Sequence, residues 1–331
     1  MTFFDPAALS ELLAHLAASG YTFTTPTPLT HQRVLAHRKG QSAATLRDVF
    51  GWNLPFSAPG LAEQLPPRLV DKLRATGLLA AHGDYLKAAI RVSSLCGDLF
   101  VHSAFPTVQD DAVFFGPDTY RFARFIEQGL RDLVQRFPAK NQSLRVLDVG
   151  CGSGAGGVAA ARALAKASPA GQPIEVVMND INPAALQCTA VNAAFACIPV
   201  TLAEGDALAA VSGLFDVIVC NPPYLEDPAR RAYRHGGAGL GRALSVRIAS
   251  EALQRLAPGG HLLAYTGVAI AAGVDAFLAD MQPLLAEAGC IWSYSEIDPD
   301  VFGEELELPL YAQIDRIAAV GLMATRPMAS A

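Results

Sequence analysis

Between Val146 and Gly154 the chain reads Val-Leu-Asp-Val-Gly-Cys-Gly-Ser-Gly, and no other stretch restricts the fold as strongly. An apolar run of strand length enters a loop with glycine at every second position, and an alanine-rich helical pattern follows from Gly157 to Ala167. Glycine lets backbone turn sharply and approach a ligand with no Cβ in the way. A loop of this kind at the carboxyl end of a strand is where open α/β sheets bind their ligands. The surrounding pattern agrees. Strand-like segments recur at 144–149, 174–179, 200–203, 215–220, 261–266, 290–296 and 312–323, alternating with helical stretches. Alternation of this sort predicts a parallel α/β sheet covered on both faces. The last two segments follow one another with no helix between them, which predicts an antiparallel hairpin at the end of the sheet.

Upstream of residue 111 the pattern differs. Leu9, Leu12, Leu13 and Leu16 fall at helical spacing over residues 6–19, and residues 24–30 read as a loop. Helices are predicted at 31–39, 45–50, 61–65 and 67–76, the last ending at Gly77. Strands at 85–93 and 98–103, joined by Cys96-Gly97-Asp98, complete a helix–helix–ribbon outline that resembles a winged-helix unit. The division expected is therefore an N-terminal helical and β-ribbon domain at 1–110 and a catalytic α/β domain at 111–331. A helix at 118–137 and a polar linker at 138–143 lead into the first strand of the sheet.

Composition narrows the function class. Half of the 331 residues are apolar, enough for a real core, and the net charge of −6 lacks the basic excess usual in nucleic-acid binding. The six cysteines form no CxxC pair, so no metal site is expected. The N-terminus does not read as a signal peptide, and the apolar stretch 261–274 is too short to span a bilayer. A cytoplasmic protein without membrane contact is the expectation.

Residues 152–157 also satisfy the dinucleotide pattern GxGxxG, which points to a nicotinamide oxidoreductase as one alternative. Asp148 weighs against it: an anion two residues before Gly150 repels a pyrophosphate and suits a sulfonium carrying an amino-acid tail. The second strand ends in Asn179-Asp180, where an acid can accept hydrogen bonds from both ribose hydroxyls. The fourth runs straight into Asn221-Pro222-Pro223-Tyr224. An amide or exocyclic-amine nitrogen is a poor nucleophile, because its lone pair is delocalised. An Asn carbonyl accepts one of its N–H groups, a backbone carbonyl held by Pro222-Pro223 accepts the other, and Tyr224 offers a face for stacking.

The segments LDVGCGSG and NDINPAALQCTAVNA resemble motifs I and II of class I S-adenosylmethionine (SAM)-dependent methyltransferases, a Rossmann-like seven-stranded fold. The resemblance implies that Asp148, with Gly150, Gly152 and Gly154, orders the loop near the methionine amine. It implies that Asp180 and the adjoining Ile181 meet the ribose, and that Asp206 and the backbone at Ala207 hold adenine. With NPPY, the chain is similar to release-factor glutamine N5-methyltransferases and N6-adenine methyltransferases. Three further segments favour the glutamine enzymes: residues 236–242, Ala257-Pro258-Gly259-Gly260, and Phe115-Gly116-Pro117-Asp118-Thr119, whose Pro117 and Thr119 are implied beside the cofactor. Phe115-Gly116 replace the arginine usual in that family. The implied catalytic set is Asn221, Pro222 and Tyr224, with Asn221 also at the cofactor, and the implied partner is a protein glutamine on a release-factor-like loop. A nucleic-acid adenine, a small-molecule amine and a non-catalytic SAM-binding partner protein stand as alternatives. Arg230, Arg231, Arg234 and His235 read as a solvated loop, and the acidic run from Asp298 to Glu307 as a solvated turn.

Overall fold

The computed structural model describes residues 5–133, 143–167 and 172–328. The chain divides into two compact units: residues 1–120 with 152–155 and 184–198, and residues 121–151 with 156–183 and 199–331.

The first unit opens with α1 (Pro6–Ala18), whose N-cap Asp5 accepts from two backbone amides. Then come α2 (Pro28–His37), α3 (Leu46–Phe50) and α4 (Pro67–Ala75). Helix α2 begins three residues earlier than expected. Thr27 caps it and Pro28 takes the first helical position, where a missing N–H costs nothing. A 3-10 turn at Pro59–Leu61 replaces the short helix expected at 61–65. The expected ribbon is two hairpins. Strand β1 (Leu79–His82) pairs antiparallel with β2 (Tyr85–Ala88), and β3 (Ile90–Leu95) with β4 (Asp98–Ser103). The single strand expected at 85–93 is therefore broken at Ala89, whose N–H bonds the Leu78 carbonyl instead.

Leucines of α1, Leu69 and Leu73 of α4, and Ile90, Val92, Leu99 and Val101 of the second hairpin share one apolar core with Val191. Val191 lies on α7 (Pro183–Phe195), a helix the sequence pattern assigns to the catalytic domain. Asn192 explains its membership. Its amide pairs with both the N–H and the carbonyl of Val101, at 2.8 and 3.0 Å, and donates to the Ser153 carbonyl at 2.9 Å.

The second unit is built on a sheet of strands β5 (Leu144–Val149), β6 (Ile174–Asp180), β7 (Val200–Glu204), β8 (Phe215–Cys220), β9 (Leu256–Ala271), β11 (Ile291–Asp298) and β12 (Arg316–Thr325). Their order is β11-β12-β9-β8-β5-β6-β7, and a short β10 (Val274–Asp275) pairs with β9. The five strands from β7 to β9 are parallel, whereas β12 is antiparallel to both neighbours. The expected terminal hairpin is thus β11–β12, with β12 inserted against β9. Strand β9 is longer than the expected 261–266 because β12 pairs with it from His261 to Ile270. Helices α8 (Ala243–Gln254) and α9 (Ala276–Glu287) contribute Ile248, Ala252, Phe277 and Met281 to the core over Leu147, Ile218 and Leu262.

Helix α5 (Pro117–Leu133) crosses the boundary between the units after Tyr120, and α6 (Ala155–Ala167) after Ala155. The expected extension of α5 to residue 137, and residues 138–142 of the expected linker, lie outside the described residues. No described helix is long and apolar enough to cross a membrane.

Candidate active site at the carboxyl ends of the central strands

Strands that pair in parallel deliver their last residues to one edge, and here β5, β6, β7 and β8 end in Asp148-Val149, Asn179-Asp180, Glu204 and Cys220. Asp148 is buried, and its Oδ2 accepts the Gly157 N–H at 2.7 Å, which fastens the first turn of α6 to β5. Gly156 makes this approach possible, since a Cβ there would stand 2.9 Å from Asp148 Oδ2. Burial pushes the Asp148 carboxyl up to about 7, against the Gly157 hydrogen bond that lowers it and with Asp180 raising it further. A carboxyl in this state is poised to ionise beside a cation.

Gly150 has φ +69, and a Cβ on it would meet nothing within 4 Å. The Gly150 and Cys151 N–H groups both donate to the Asn179 carbonyl at 2.9 Å. The Asn179 amide donates to the carbonyls of Ala203 and Gly205, at 3.0 and 3.1 Å. One buried Asn therefore ties the ends of β5, β6 and β7 together, a role sequence reading missed. The available signal was a polar residue closing an apolar strand, which burial obliges to be bonded. Asp180 holds the turn after β6 by accepting the Asn182 N–H at 2.8 Å, and the neighbouring Ile181 is 59 % exposed.

Asp206 is fixed by a residue that no sequence pattern links to it. Arg247 of α8 grips it in a fork, Nη1 to Oδ2 at 2.8 Å and Nη2 to Oδ1 at 2.6 Å, and this holds its carboxyl below the usual range. Ala207, next along, takes the left-handed conformation at φ +46.

Gly152 and Gly154 belong to the first unit, with φ +55 and +81. A Cβ on Gly152 would meet nothing within 4 Å, and its carbonyl accepts from Thr189 Oγ1. Pro117 opens α5 in the same unit, and Thr119 Oγ1 accepts the Gly116 N–H at 3.2 Å. Phe115, which replaces the arginine of the glutamine enzymes, is buried and stacked on His102 at 5.0 Å. It is a core residue here.

At the end of β8, Asn221 Oδ1 is buried and accepts no hydrogen bond among the described residues. Such an acceptor is costly to leave unpaired in a folded protein. Pro222 is buried beside it, and Tyr224 is packed down. A Cβ on Gly267 of β9 would collide with the Tyr224 ring, and Phe302 meets that ring at 5.7 Å and 74°. Phe302 itself has a left-handed backbone, φ +53, unusual for an aromatic residue and a mark of functional sites. The glycines after NPPY now have a reason. A Cβ on Gly236 would crowd the Pro223 carbonyl, and one on Gly241 the Tyr224 carbonyl, so only glycine lets this strap lie against the motif.

In the two charged segments expected to be solvated, Arg231, Arg234 and Glu305 are engaged in ion pairs, and Arg234 joins the one segment to the other. Asp227 is buried and held in a bidentate pair by Arg231 at 2.8 and 2.7 Å, which lowers its carboxyl to about 2. Arg234 pairs with the buried Glu305, and the Tyr311 hydroxyl accepts the Glu226 N–H at 2.9 Å. Residues 225–242 are in this way laced to residues 302–311. Arg230 stays exposed. Cys220 is buried filler whose thiol burial pushes up, which removes it as a nucleophile.

A sheet with a reversed last-but-one strand, a glycine loop on its first strand and acids at the ends of the next two defines a class. The chain belongs to the class I SAM-dependent methyltransferases. A family profile described as "Methyltransferase small domain" matches residues 122–269. A putative protein N5-glutamine methyltransferase of Methanocaldococcus jannaschii is 33 % identical over 150 residues, covering 44 % of this chain and 70 % of that protein. Release factor glutamine methyltransferases of Deinococcus radiodurans and Koribacter versatilis are 34 % and 32 % identical over 173 and 171 residues. Those matches cover 49 % and 48 % of this chain, and the chain spans 55 % of each of the two relatives. S-adenosylmethionine is the cofactor of the class.

Proposed function

We propose that the protein transfers the methyl group of SAM to a planar nitrogen, and that this nitrogen is the side-chain amide of a glutamine in a protein. The observation that carries the reading is the buried carbonyl of Asn221, which has no partner among the described residues. An acceptor of this kind, fixed at the end of a buried strand and followed by two prolines, matches the N–H of an incoming amide. The Pro222 carbonyl takes the second N–H, and the two bonds raise electron density on nitrogen and aim it. Tyr224, wedged between Gly267 and Phe302, forms the wall against which the planar group rests. Positioning and electrostatics supply the catalysis.

The residues suit SAM. When bound, it supplies a methyl carbon made electrophilic by a sulfonium. Asp148 offers a desolvated carboxyl to the positive charge, and Gly150, Gly152 and Gly154 leave the backbone bare on the loop. Asp180 and Ile181 receive the ribose, Asp206 and the Ala207 backbone receive adenine, and Pro117, Thr119 and Asn221 complete the set. Catalysis is assigned to 111–331, and 1–110 to a separate N-terminal domain. The relatives' names favour glutamine over adenine. So does the internal pairing of Arg231 and Arg234, which leaves them poorly placed to neutralise phosphates.

The test presents labelled SAM and the enzyme with release factor, tRNA, rRNA and DNA in parallel. Label in release factor is expected. Label confined to N6-methyladenine would replace glutamine by adenine, and tight NAD binding with no response to SAM would remove the whole reading.

A further inference from the structure

The turn after β7 carries the two residues assigned to adenine, Asp206 and Ala207, and helix α8 holds that turn at two points. Arg247 forks the Asp206 carboxylate with bonds of 2.8 and 2.6 Å. Glu251 lies one helical turn further along the same face of α8, and its Oε2 accepts the Leu208 N–H at 3.3 Å. On its other side the turn is tied to β6. The Gly205 N–H donates to the Asp180 carbonyl at 3.1 Å, and the Gly205 carbonyl accepts from the Asn179 amide at 3.1 Å. Ala207, left-handed at φ +46, stands between these anchors, and the Ala209 N–H closes the turn on the Asp206 carbonyl at 3.0 Å.

Stability is a poor explanation of the fork. The Arg247 and Asp206 side chains are 44 % and 54 % exposed, and exposed ion pairs contribute little, because solvent and salt screen them and ordering two side chains costs entropy. Orientation explains it better. The terminal torsion of an unheld Asp is broad, so its lone pairs sweep a wide range of directions. A guanidinium bonded to both oxygens fixes the carboxylate plane. Each oxygen keeps a second lone pair, and with half of the side chain open to solvent these stay within reach of a ligand. The fork also holds the carboxyl below its usual range, so the group accepts hydrogen bonds and does not donate them.

An acceptor of this kind distinguishes purines by the group at C6. Adenine has an amine there, which donates. Hypoxanthine has an oxygen, which would face the carboxylate with no proton between them. A carboxylate held in one plane favours the first and rejects the second by leaving two acceptors opposed. Released from the fork, the side chain can turn aside from the wrong base, and the distinction weakens.

We propose that Arg247 is a positioning residue for cofactor recognition: through the fork it aims the Asp206 carboxylate at the adenine amine of SAM and makes the site select adenine over hypoxanthine. The inference rests on the assignment of adenine to Asp206.

Calorimetry of the full chain with S-adenosylhomocysteine and its deaminated counterpart S-inosylhomocysteine tests it. Neither carries the sulfonium and the two differ only in the purine, so the ratio of their affinities reads the purine edge alone. The wild-type chain is expected to prefer adenine by roughly 10- to 100-fold, the worth of a hydrogen bond to a charged group. Arg247→Met keeps the apolar stem and breaks the fork, so the ratio should fall to a few-fold while the melting temperature barely moves. Arg247→Lys keeps the charge without the fork and should recover only part of the ratio. Asp206→Asn should abolish it, because an amide can turn its oxygen to adenine or its nitrogen to hypoxanthine. Equal binding of the two ligands by the wild-type chain, or a wild-type ratio in Asp206→Asn, would remove the adenine assignment and the inference with it. A ratio lost in Asp206→Asn but kept in both Arg247 variants would leave the assignment standing and overturn the positioning role of Arg247.

Discussion

The ends of β5–β7 and the end of β8 handle charge in opposite ways. Around β5–β7, Asp148 is buried with a single backbone donor and sits near the top of the carboxylate range. Around β8 the main charges pair internally, Asp227 with Arg231 and Glu305 with Arg234, and the buried side-chain atoms without a partner among the described residues include a neutral carbonyl, Asn221 Oδ1, together with Arg234 Nε and His235 Nδ1. The difference teaches what each region is for. A reserved carboxyl awaits a cation, whereas a reserved neutral acceptor beside paired charges awaits an N–H. Charges already paired hold the walls in place.

That contrast can be broken at several points. Asn221→Ala should lower turnover by about 10²–10³, as for the loss of one transition-state hydrogen-bonding group, and lower SAM affinity far less, because its main contact is with the acceptor nitrogen. Single-turnover kinetics beside calorimetry separate the two, and near-normal turnover would end the distinction between the regions. Asp180→Ala acts on the other side. Losing a charge-assisted hydrogen bond worth about 1–3 kcal/mol should weaken SAM roughly 5- to 150-fold, and an unchanged dissociation constant would show that Asp180 does not bind the ribose.

The reserve of charge on Asp148 has a pH signature. With its carboxyl near 7 in the fold, ionisation rises about tenfold between pH 6 and 8, and SAM affinity should rise with it. Asp148→Asn should flatten the profile. The same shift contributes to stability with the opposite sense. Between about pH 4 and 7 the folded carboxyl holds a proton the unfolded chain has lost, so this group's contribution declines as pH rises through that window and levels off above it. The smallest effect is expected from Glu305→Gln. Releasing Arg234 loosens residues 302–311 beside Tyr224 and should cost turnover a few-fold with SAM affinity unchanged; a matching fall in SAM affinity would place this lattice on the wrong side of the comparison.

The β5–β7 region was legible in the sequence because its parts are local. A strand, its glycines and the next helix lie within residues 144–167, and Asp180 follows from the position of one strand end. The Asn221 region was legible only in its motif. Its walls come from Gly267, Phe302, Glu305 and Tyr311, forty to ninety residues downstream, and nothing local announces that Arg234 will meet Glu305. Arg247 eluded the reading for the same reason, since bidentate pairing across forty-one residues leaves no periodicity. In the N-terminal region the strand expected at 85–93 breaks at Ala89, where the Leu78 carbonyl draws away the amide a continuous strand would have spent on its ladder.

The central claim is that the acceptor atom is a planar nitrogen, and the most direct measurement locates the transferred methyl group on the product. After incubation with methyl-labelled SAM and the acceptor found in the panel, complete digestion and high-resolution mass spectrometry identify the modified atom. The account predicts N5-methylglutamine, and an N-methylated exocyclic amine would keep the chemistry of Asn221 while changing the substrate. Label released as methanol by mild base, or held on sulfur or carbon, would contradict it.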